Sequence, residues 1–192
     1  AIGGVLVERS STNERKLAAI SALLAVRSPV VQSALLGGSR DGSRDVRLRS
    51  AAALLTVGSL EAMPDVTAAL LNPTGISAAT VDFLRMGIQQ NPLPEAAIPR
   101  LASIMASTDV QTRRSAANAL WQTASPLAAE PLAQALDDVD AEVRHFAASG
   151  LARVMGRPDL APSWRATEDQ KAQLLAHWKA WAQERGLRGS GR

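Results

Sequence analysis

A fifteen-residue pattern that occurs twice without a gap constrains the fold of this chain more than any other feature. Residues 140–154 read DAEVRHFAASGLARV, and residues 109–123, 31 positions earlier, read DVQTRRSAANALWQT. Apolar and small residues recur at offsets 0, 3, 4, 7, 8 and 11 from Val143, which is the pattern of a helix with one buried face. The repeat therefore predicts a series of similar helices, called first helices below.

Further copies of this pattern run through the chain. A third copy starts at Val46 in DVRLRSAAALLTVG, where Arg47 lies 66 positions before Arg113, or two periods of 33. That spacing predicts an intermediate copy, which residues 77–90 supply in a degenerate form. Residues 11–26 are the expected earliest copy, because the letters STNE at their start predict a capping box.

Each first helix is followed by a short break and a second apolar stretch, which predicts a companion helix. No stretch alternates apolar and polar residues as a half-buried strand does, so the expected fold is all-α. A last helix is expected at about residues 168–185, capped by Thr167 with Gln170 three places later. The companion helices are expected at about residues 29–36, 60–71, 94–106 and 126–136.

Helix pairs that recur every 31 to 33 residues predict a solenoid, in which each pair buries its apolar face on the next. The residues also resemble a known family. Val46-Arg47, Ala51 and Ala53-Leu54 fit the pattern V-R-x-x-A-A-x-A-L of the short HEAT-like repeat, and Val143-Arg144 with Ala147-Ala148 fits equally well. The resemblance is closest over residues 45–156.

This resemblance implies a right-handed α-α superhelix of about five helix pairs with a C-terminal capping helix. The whole is expected to be a single repeat domain over residues 1–186, followed by a flexible tail at residues 187–192. Its units are expected at about residues 11–37, 44–71, 77–106, 109–137 and 140–185.

Composition limits the chemistry that the chain can perform. Aromatic residues make up 3% of the chain and hydrophobic residues 46%, so the core is expected to consist of Ala, Leu, Val and Ile. The absence of cysteine excludes disulfides, zinc–thiolate sites and thiol nucleophiles. His145 and His177 have no carboxylates at ligand spacing, and His145 is expected to be exposed beside the apolar series. With no phosphate-binding loop or G-x-S-x-G motif either, we predict no catalysis, no metal site and no cofactor.

The aspartate and arginine of the repeat are candidates for a site. Asp109 and Asp140 stand directly before first helices, where a carboxylate accepts the free N–H groups of the first turn. Arg47, Arg113 and Arg144 recur at one helix position per unit. Residues repeated in register favour a structural role, and the HEAT-like resemblance implies an Asp–Arg ladder between units. The alternative is a row of arginines that binds phosphate or acidic ligands.

Four tryptophans supply most of the aromatic surface. Trp164, Trp178 and Trp181 lie near the carboxyl end and are expected to pack their rings onto the last repeat as a cap. Trp121 has small neighbours, so it is expected either to fill a wedge between units or to make an aromatic contact with a partner.

The likeness to HEAT repeats implies that the companion helices line a concave face, and their polar residues are the expected binding surface. This surface is slightly acidic although the net charge of the chain is +3, which favours a protein or peptide partner over nucleic acid. Together with Trp121, the residues predicted to bind the partner are Glu61, Asp65, Glu95, Arg100, Glu130 and Gln134.

The expected function is therefore a non-enzymatic protein–protein interaction or scaffolding module. Two alternatives stay open. One is nucleic-acid binding in the manner of DNA-alkylation-repeat proteins, which a salt-sensitive shift of a DNA fragment would reveal. The other is a bilin-lyase-like role, because phycobiliprotein lyases have the same kind of repeat, and visible absorbance after mixing with bilin and apoprotein would reveal it.

Location in the cell is left open by the sequence. No apolar run approaches the roughly 18 residues needed to span a bilayer, so membrane insertion is not expected. The chain begins at Ala1 rather than Met, and we expect it to be a processed or excised piece of a longer chain. Both the cytoplasm and an exported compartment are compatible with these features, and the oligomeric state is not indicated.

Overall fold

The computed structural model describes residues 2–8, 10–26 and 29–187. Across these residues the chain folds into α-helices joined by short turns, without a β-strand, which confirms the predicted all-α fold class. The chain divides into two compact units, residues 1–91 and 92–192. The single repeat domain over residues 1–186 stays a prediction. Of the expected tail at 187–192, all but Leu187 lies outside the described residues.

The first unit contains three first helices with two companion helices between them, preceded by a short helix that the sequence pattern does not predict. In order along the chain these helices are α1 (Ile2–Val7), α2 (Asn13–Leu23), α3 (Pro29–Gly38), α4 (Arg44–Thr56), α5 (Met63–Leu71) and α6 (Ala78–Gln89). The first helices are α2, α4 and α6, and α4 packs against both of the others. The short α1 lies on α2 and α3, where it buries Leu6.

The second unit continues the alternation. Its helices are α7 (Ile98–Ile104), α8 (Val110–Thr123), α9 (Ala129–Ala135), α10 (Ala141–Val154) and α11 (Glu168–Glu184). The first helices α8 and α10 pack against each other, and the companions α7 and α9 pack against α8 and α10 respectively. The last helix α11 contacts α9 and α10 and so covers the end of this unit.

Three of the companion helices are each preceded by one turn of 3-10 helix. These turns are Leu60–Ala62 before α5, Glu95–Ala97 before α7 and Pro126–Ala128 before α9. Proline occupies one of the first two positions of α5 and of α7, where its missing N–H leaves no hydrogen bond unmade. These turns lead directly into the three companion helices that follow them.

Side-chain caps start several of the first helices, largely as predicted. Asp109 Oδ2 accepts a hydrogen bond from the Thr112 N–H at 2.7 Å. Asp140 Oδ1 accepts hydrogen bonds from the N–H groups of Glu142 and Val143 at 3.1 Å each. The capping box of Thr167 with Gln170 is also confirmed. At α2 the prediction was wrong by one residue, because Thr12 rather than Ser11 caps the helix and Ser11 bonds to Glu8 instead.

Small residues let neighbouring first helices approach closely. On α4 an unbroken run from Ala51 to Leu55 is buried, as Ala116, Ala117 and Ala119 are on α8. Each fully buried Leu or Val contributes about 1.5–3 kcal/mol relative to an exposed one. The companion helices bury equivalent positions, namely Val66, Ala69 and Leu70 on α5, Leu101 and Ile104 on α7, and Leu132, Ala135 and Leu136 at α9.

No helix within the described ranges is both long enough and apolar enough to cross a membrane.

Candidate binding grooves between companion helices

Each of the two compact units has an open cavity beside two successive companion helices. The first cavity, of about 460 Å³, lies in the first unit beside α4 and α5, and the second cavity, of about 350 Å³, lies between α7 and α9. The two are equivalent in the repeat, since Ser39, Ala69 and Asn72 of the first stand 66 positions before Met105, Ala135 and Asp138 of the second. The repeat thus places a groove at the same position in each of the two compact units.

The first cavity is lined by more cationic than anionic groups. Arg44 and Arg47 on α4 face it together with Asp65 on α5 and the amide of Asn72. The Nη1 of Arg44 donates to the Thr74 carbonyl at 2.7 Å. Within the described part of the chain neither arginine forms an ion pair at this cavity, so its net charge is positive.

The second cavity has acidic residues at the equivalent edge, and their charges are compensated. Asp137 forms an ion pair with Lys179 at 2.8 Å, and Asp138 forms one with Arg113 at 2.8 Å. Apolar groups from Met105 and Pro131 line the rest of the groove together with Gln134. This cavity therefore offers an apolar floor with a nearly neutral rim.

The repeated arginines have a common structural role. Arg47, Arg113 and Arg144 each donate from Nη1 to the two backbone carbonyls that lie six and five residues earlier, at distances from 2.8 to 3.3 Å. These bonds satisfy carbonyls of the turn that precedes each first helix. They tie the arginine to the turn of its own unit.

The expected Asp–Arg ladder is present in the second unit with a different pairing. Asp140 is bound by Arg114 rather than by Arg113, through bonds of 2.9 and 2.6 Å, while Arg113 binds Asp138. Adjacent helix positions are about 100° apart, so the two successive arginines meet different acids of the turn before α10. The expected single ladder is in fact a double one there.

These contacts shift the ionisation of the groups involved. The hydrogen bonds from Arg114 lower the pKa of Asp140 to about 2, against burial, which raises it. The hydrogen bonds that Arg113 donates to Asp138 raise the pKa of Arg113 above its usual range. Asp140 and both arginines therefore stay charged at neutral pH, and the two ion pairs hold α8 to the following turn.

An aromatic cluster lies on the first helices of the second unit. The Trp121 ring is 5.9 Å from that of Phe146, and the Arg153 guanidinium lies 5.8 Å from the Trp121 ring. The His145 ring stacks on Trp164 at 3.4 Å between centroids. Trp121 therefore fills space between α8 and α10, as one of its two expected roles requires.

Two expectations about this cluster were wrong. His145 is half-buried rather than exposed, because Trp164 covers it. Burial, with a smaller contribution from the charge of Lys171, lowers the pKa of His145 to about 4. Trp164 in turn remains 58% exposed, so it shields a histidine instead of packing into the cap.

The other two tryptophans cover the last repeat as predicted. Trp178 is only 1% exposed, and its Nε1 donates to the Leu160 carbonyl at 3.0 Å. Trp181 lies edge-on to it at 5.5 Å and supports the Arg185 guanidinium at 4.6 Å from its ring. The cap thus closes the end of the second unit with one buried ring and one half-buried ring.

The residues predicted to bind a partner do not form one cluster. Asp65 lines the first cavity, and Gln134 lines the second and bonds to Glu130 at 3.4 Å. Glu61 and Arg100 are exposed but lie outside both cavities, and so does Trp121 on α8. Glu95 accepts a 2.6 Å hydrogen bond from Ser125.

Sequence reasoning missed the polar groups that distinguish the two cavities. Arg44 and Asn72 were not singled out. A signal for Asn72 was available, because it stands where the copy 66 positions later has Asp138. None of the described residues forms a cluster of three His, Asp or Glu side chains that could hold a metal ion.

Residues 94–180, which cover most of the second unit, match the family model for HEAT repeats. This part of the chain is similar to HEAT repeats. The HEAT-like resemblance in the sequence is thereby confirmed. HEAT repeats generally mediate protein–protein interaction or scaffolding and are typically not enzymes. No curated protein matches the chain.

Proposed function

We propose that the chain is a non-enzymatic protein-binding module that uses the grooves between its companion helices. The observation that carries this proposal is the pair of equivalent cavities, one per unit, at the same position of the repeat. A groove that recurs with the repeat gives each compact unit its own place to bind a partner.

The chemistry of the second cavity favours a protein ligand. Met105, Pro131 and Ala102 provide apolar contact, while the rim at Gln134 and Glu130 can exchange hydrogen bonds with a peptide backbone or side chain. A phosphate backbone would gain little at this edge, because Lys179 and Arg113 are already paired with Asp137 and Asp138. The remaining predicted contacts, Glu61, Glu95, Arg100 and Trp121, are proposed as the periphery of the binding surface.

Site-specific photocrosslinking in the source cells tests this function. The photoreactive residue p-benzoylphenylalanine is placed at Asp65 in the first cavity and at Gln134 in the second. The controls are Ala79 on α6 and Gln111 on α8, which are exposed residues of first helices outside both cavities. We expect a defined protein adduct at the groove positions and none at the controls.

Charge reversal provides a second criterion. Glu130→Arg should reduce the adduct formed at position 134, because Glu130 is the acidic neighbour of that residue. Equal adducts at groove and control positions would contradict the proposal. An adduct that nuclease digestion removes would instead identify a nucleic-acid partner.

A further inference from the structure

The three repeated arginines are anchored alike, which makes their remaining donors comparable. In each case Nη1 is used by two turn carbonyls, as at Arg47, which bonds to Asp41 O at 2.8 Å and to Gly42 O at 2.9 Å. The opposite edge of the guanidinium, formed by Nε and Nη2, stays available for a second partner. A planar fork of this kind matches the two oxygens of a carboxylate.

At Arg113 this edge is occupied by the chain itself. Nε donates to Asp138 Oδ2 at 2.8 Å and Nη2 to Asp138 Oδ1 at 3.1 Å, and both side chains are largely buried. The acid stands 25 positions after the base. Lys16 and Asp41 in the first unit have the same separation and form an ion pair at 2.6 Å. We call such a pair, a base and the residue 25 positions later, a rung.

The rung of Arg47 lacks its acid. The residue 25 positions later is Asn72, whose Oδ1 accepts hydrogen bonds from the N–H and the hydroxyl of Thr74. Nothing in the described part of the chain binds Nε or Nη2 of Arg47, and the first cavity lies in front of it. Arg44 lines the same cavity and adds a second positive charge, against the single carboxylate of Asp65.

The third arginine does not offer the same opening. Arg144 faces a cavity of only about 150 Å³ that already contains Glu168 and Lys171, which are paired with each other at 2.9 Å. The first cavity is about three times larger and holds no such pair. Arg47 is therefore the rung with both an unused fork and room for a ligand.

We propose that the first cavity binds a side-chain carboxylate from an acidic segment of a protein partner. The carboxylate would complete the Arg47 rung from outside, in the bidentate geometry that Asp138 shows at Arg113. Arg44 and the Asn72 amide would add donors at the rim. The inference rests on the proposed protein-binding role for the class of partner but concerns only the cavity of the first unit.

The test uses the full chain and a defined probe, a blocked hexaglutamate peptide, with blocked hexaglutamine as the uncharged control. Binding is followed by the Nε–Hε NMR signals of the arginines at low salt, with Arg47→Lys used for assignment. We expect the Arg47 signal to shift with hexaglutamate and not with hexaglutamine. The Arg113 signal should stay unchanged, because Asp138 occupies its fork.

Asn72→Asp is the decisive variant, because it supplies the missing acid within the chain. We expect it to weaken hexaglutamate binding about tenfold or more, the effect of losing a bidentate charged contact. Asp65→Asn should instead strengthen binding about two- to threefold by removing a like charge from the cavity. Thermal melts confirm that both variants remain folded.

Three results would overturn the inference. They are an affinity unchanged by Asn72→Asp, an equal response of Arg47 and Arg113, and a response to inorganic phosphate as strong as that to the peptide. The last would indicate a general anion site. Photocrosslinking at position 134 reports on the second cavity, so the proposed function and this inference can fail separately.

Discussion

The two equivalent cavities differ in charge although they occupy the same position of the repeat. In the first unit Arg47 faces open space across from Asn72, whereas in the second Arg113 is closed by Asp138. The repeat determines where a groove forms, because its apolar positions place the helices. A single departure from the repeat, asparagine for aspartate, determines whether the second edge of the arginine is closed within the chain or faces the cavity.

The largest expected difference between the units comes from removing the arginine of each rung. Arg113→Met should lower the free energy of unfolding by about 3 kcal/mol, because Asp138 would be left largely buried without its partner. Arg47→Met should cost only about 1 kcal/mol, since it loses just the bonds to two turn carbonyls. Urea unfolding followed by circular dichroism measures both.

Fluorescence sharpens that measurement. All four tryptophans lie in the second unit, so their emission reports on that unit alone. Arg113→Met should move the fluorescence transition to lower urea, and Arg47→Met should leave it in place if the units unfold separately. Equal destabilisation by the two substitutions would show that Asp138 contributes nothing and would remove the distinction between a closed and an open rung.

Close helix contacts provide a second comparison of the two units. A Cβ on Gly87 would lie 2.9 Å from Ala52 Cβ and 3.0 Å from Ala52 O, so α6 would have to move away from α4. A Cβ on Gly150 would meet the end of the Leu132 side chain at 2.7 Å, which can adjust by rotation. We expect Gly87→Ala to cost about 2 kcal/mol and Gly150→Ala about 1 kcal/mol or less.

Melting temperatures followed by circular dichroism test this difference. Ala141→Gly, at an exposed first position of α10, controls for the change in helix propensity alone. If Gly87→Ala melts at the wild-type temperature, the backbone contact between α4 and α6 is looser than the structure indicates.

Sequence patterns predicted the parts of this fold that depend on local or repeated features. The alternation of helices and the caps at Asp109 and Asp140 follow from periodicity and from residue types beside helix starts. The partners of Arg113 and Arg114 did not follow, because they depend on how far α8 is rotated relative to the next turn.

The repeat also could not predict features that depend on residues found in one copy only. The stack of His145 on Trp164 joins a first helix to an irregular turn, and no other copy has an equivalent pair. The positive charge of the first cavity depends on Asn72, which stands where the other copy has an aspartate. A search for residues that the copies share overlooks such a difference. In this chain the repeat predicts the arrangement of the helices. The effects of residues that depart from the repeat follow only from their side-chain contacts.

Acidification should separate the units, because both histidines belong to the second. The folded state holds the pKa of His145 at about 4, against about 6.5 for an unfolded histidine. The contribution of neutral His145 is therefore fully present above pH 6.5 and is lost as the pH falls towards 4. Allowing for partial solvent exposure of the ring, we expect a loss of about 1 kcal/mol by pH 4.5.

The urea midpoint of tryptophan fluorescence, measured from pH 7 to pH 4.5, tests this expectation. His145→Gln should remove the added pH dependence in that window, and His177→Gln, on the exposed side of α11, should not. The Asp140 carboxyl acts in a lower window, since its contribution is present above pH 3.8 and is lost as the pH falls to about 2. A pH dependence that persists in His145→Gln would assign the effect to other groups.

The smallest expected effect is also the most direct test of the comparison between the rungs. Asn72→Asp should stabilise the chain by about 0.5 kcal/mol at low salt, because the new carboxylate can pair with Arg47 at an exposed position. The gain is small because the carboxylate follows the C-terminal end of α5, where the helix dipole disfavours negative charge. At about 1 M salt, where the Debye length is about 3 Å, most of this gain should disappear.

The control variant Asn72→Ser keeps an acceptor for Thr74 without adding charge and should give no gain in stability. If Asn72→Ser and Asn72→Asp behave alike, the Arg47 fork does not recognise a carboxylate, and the difference between the two cavities is one of shape rather than of charge.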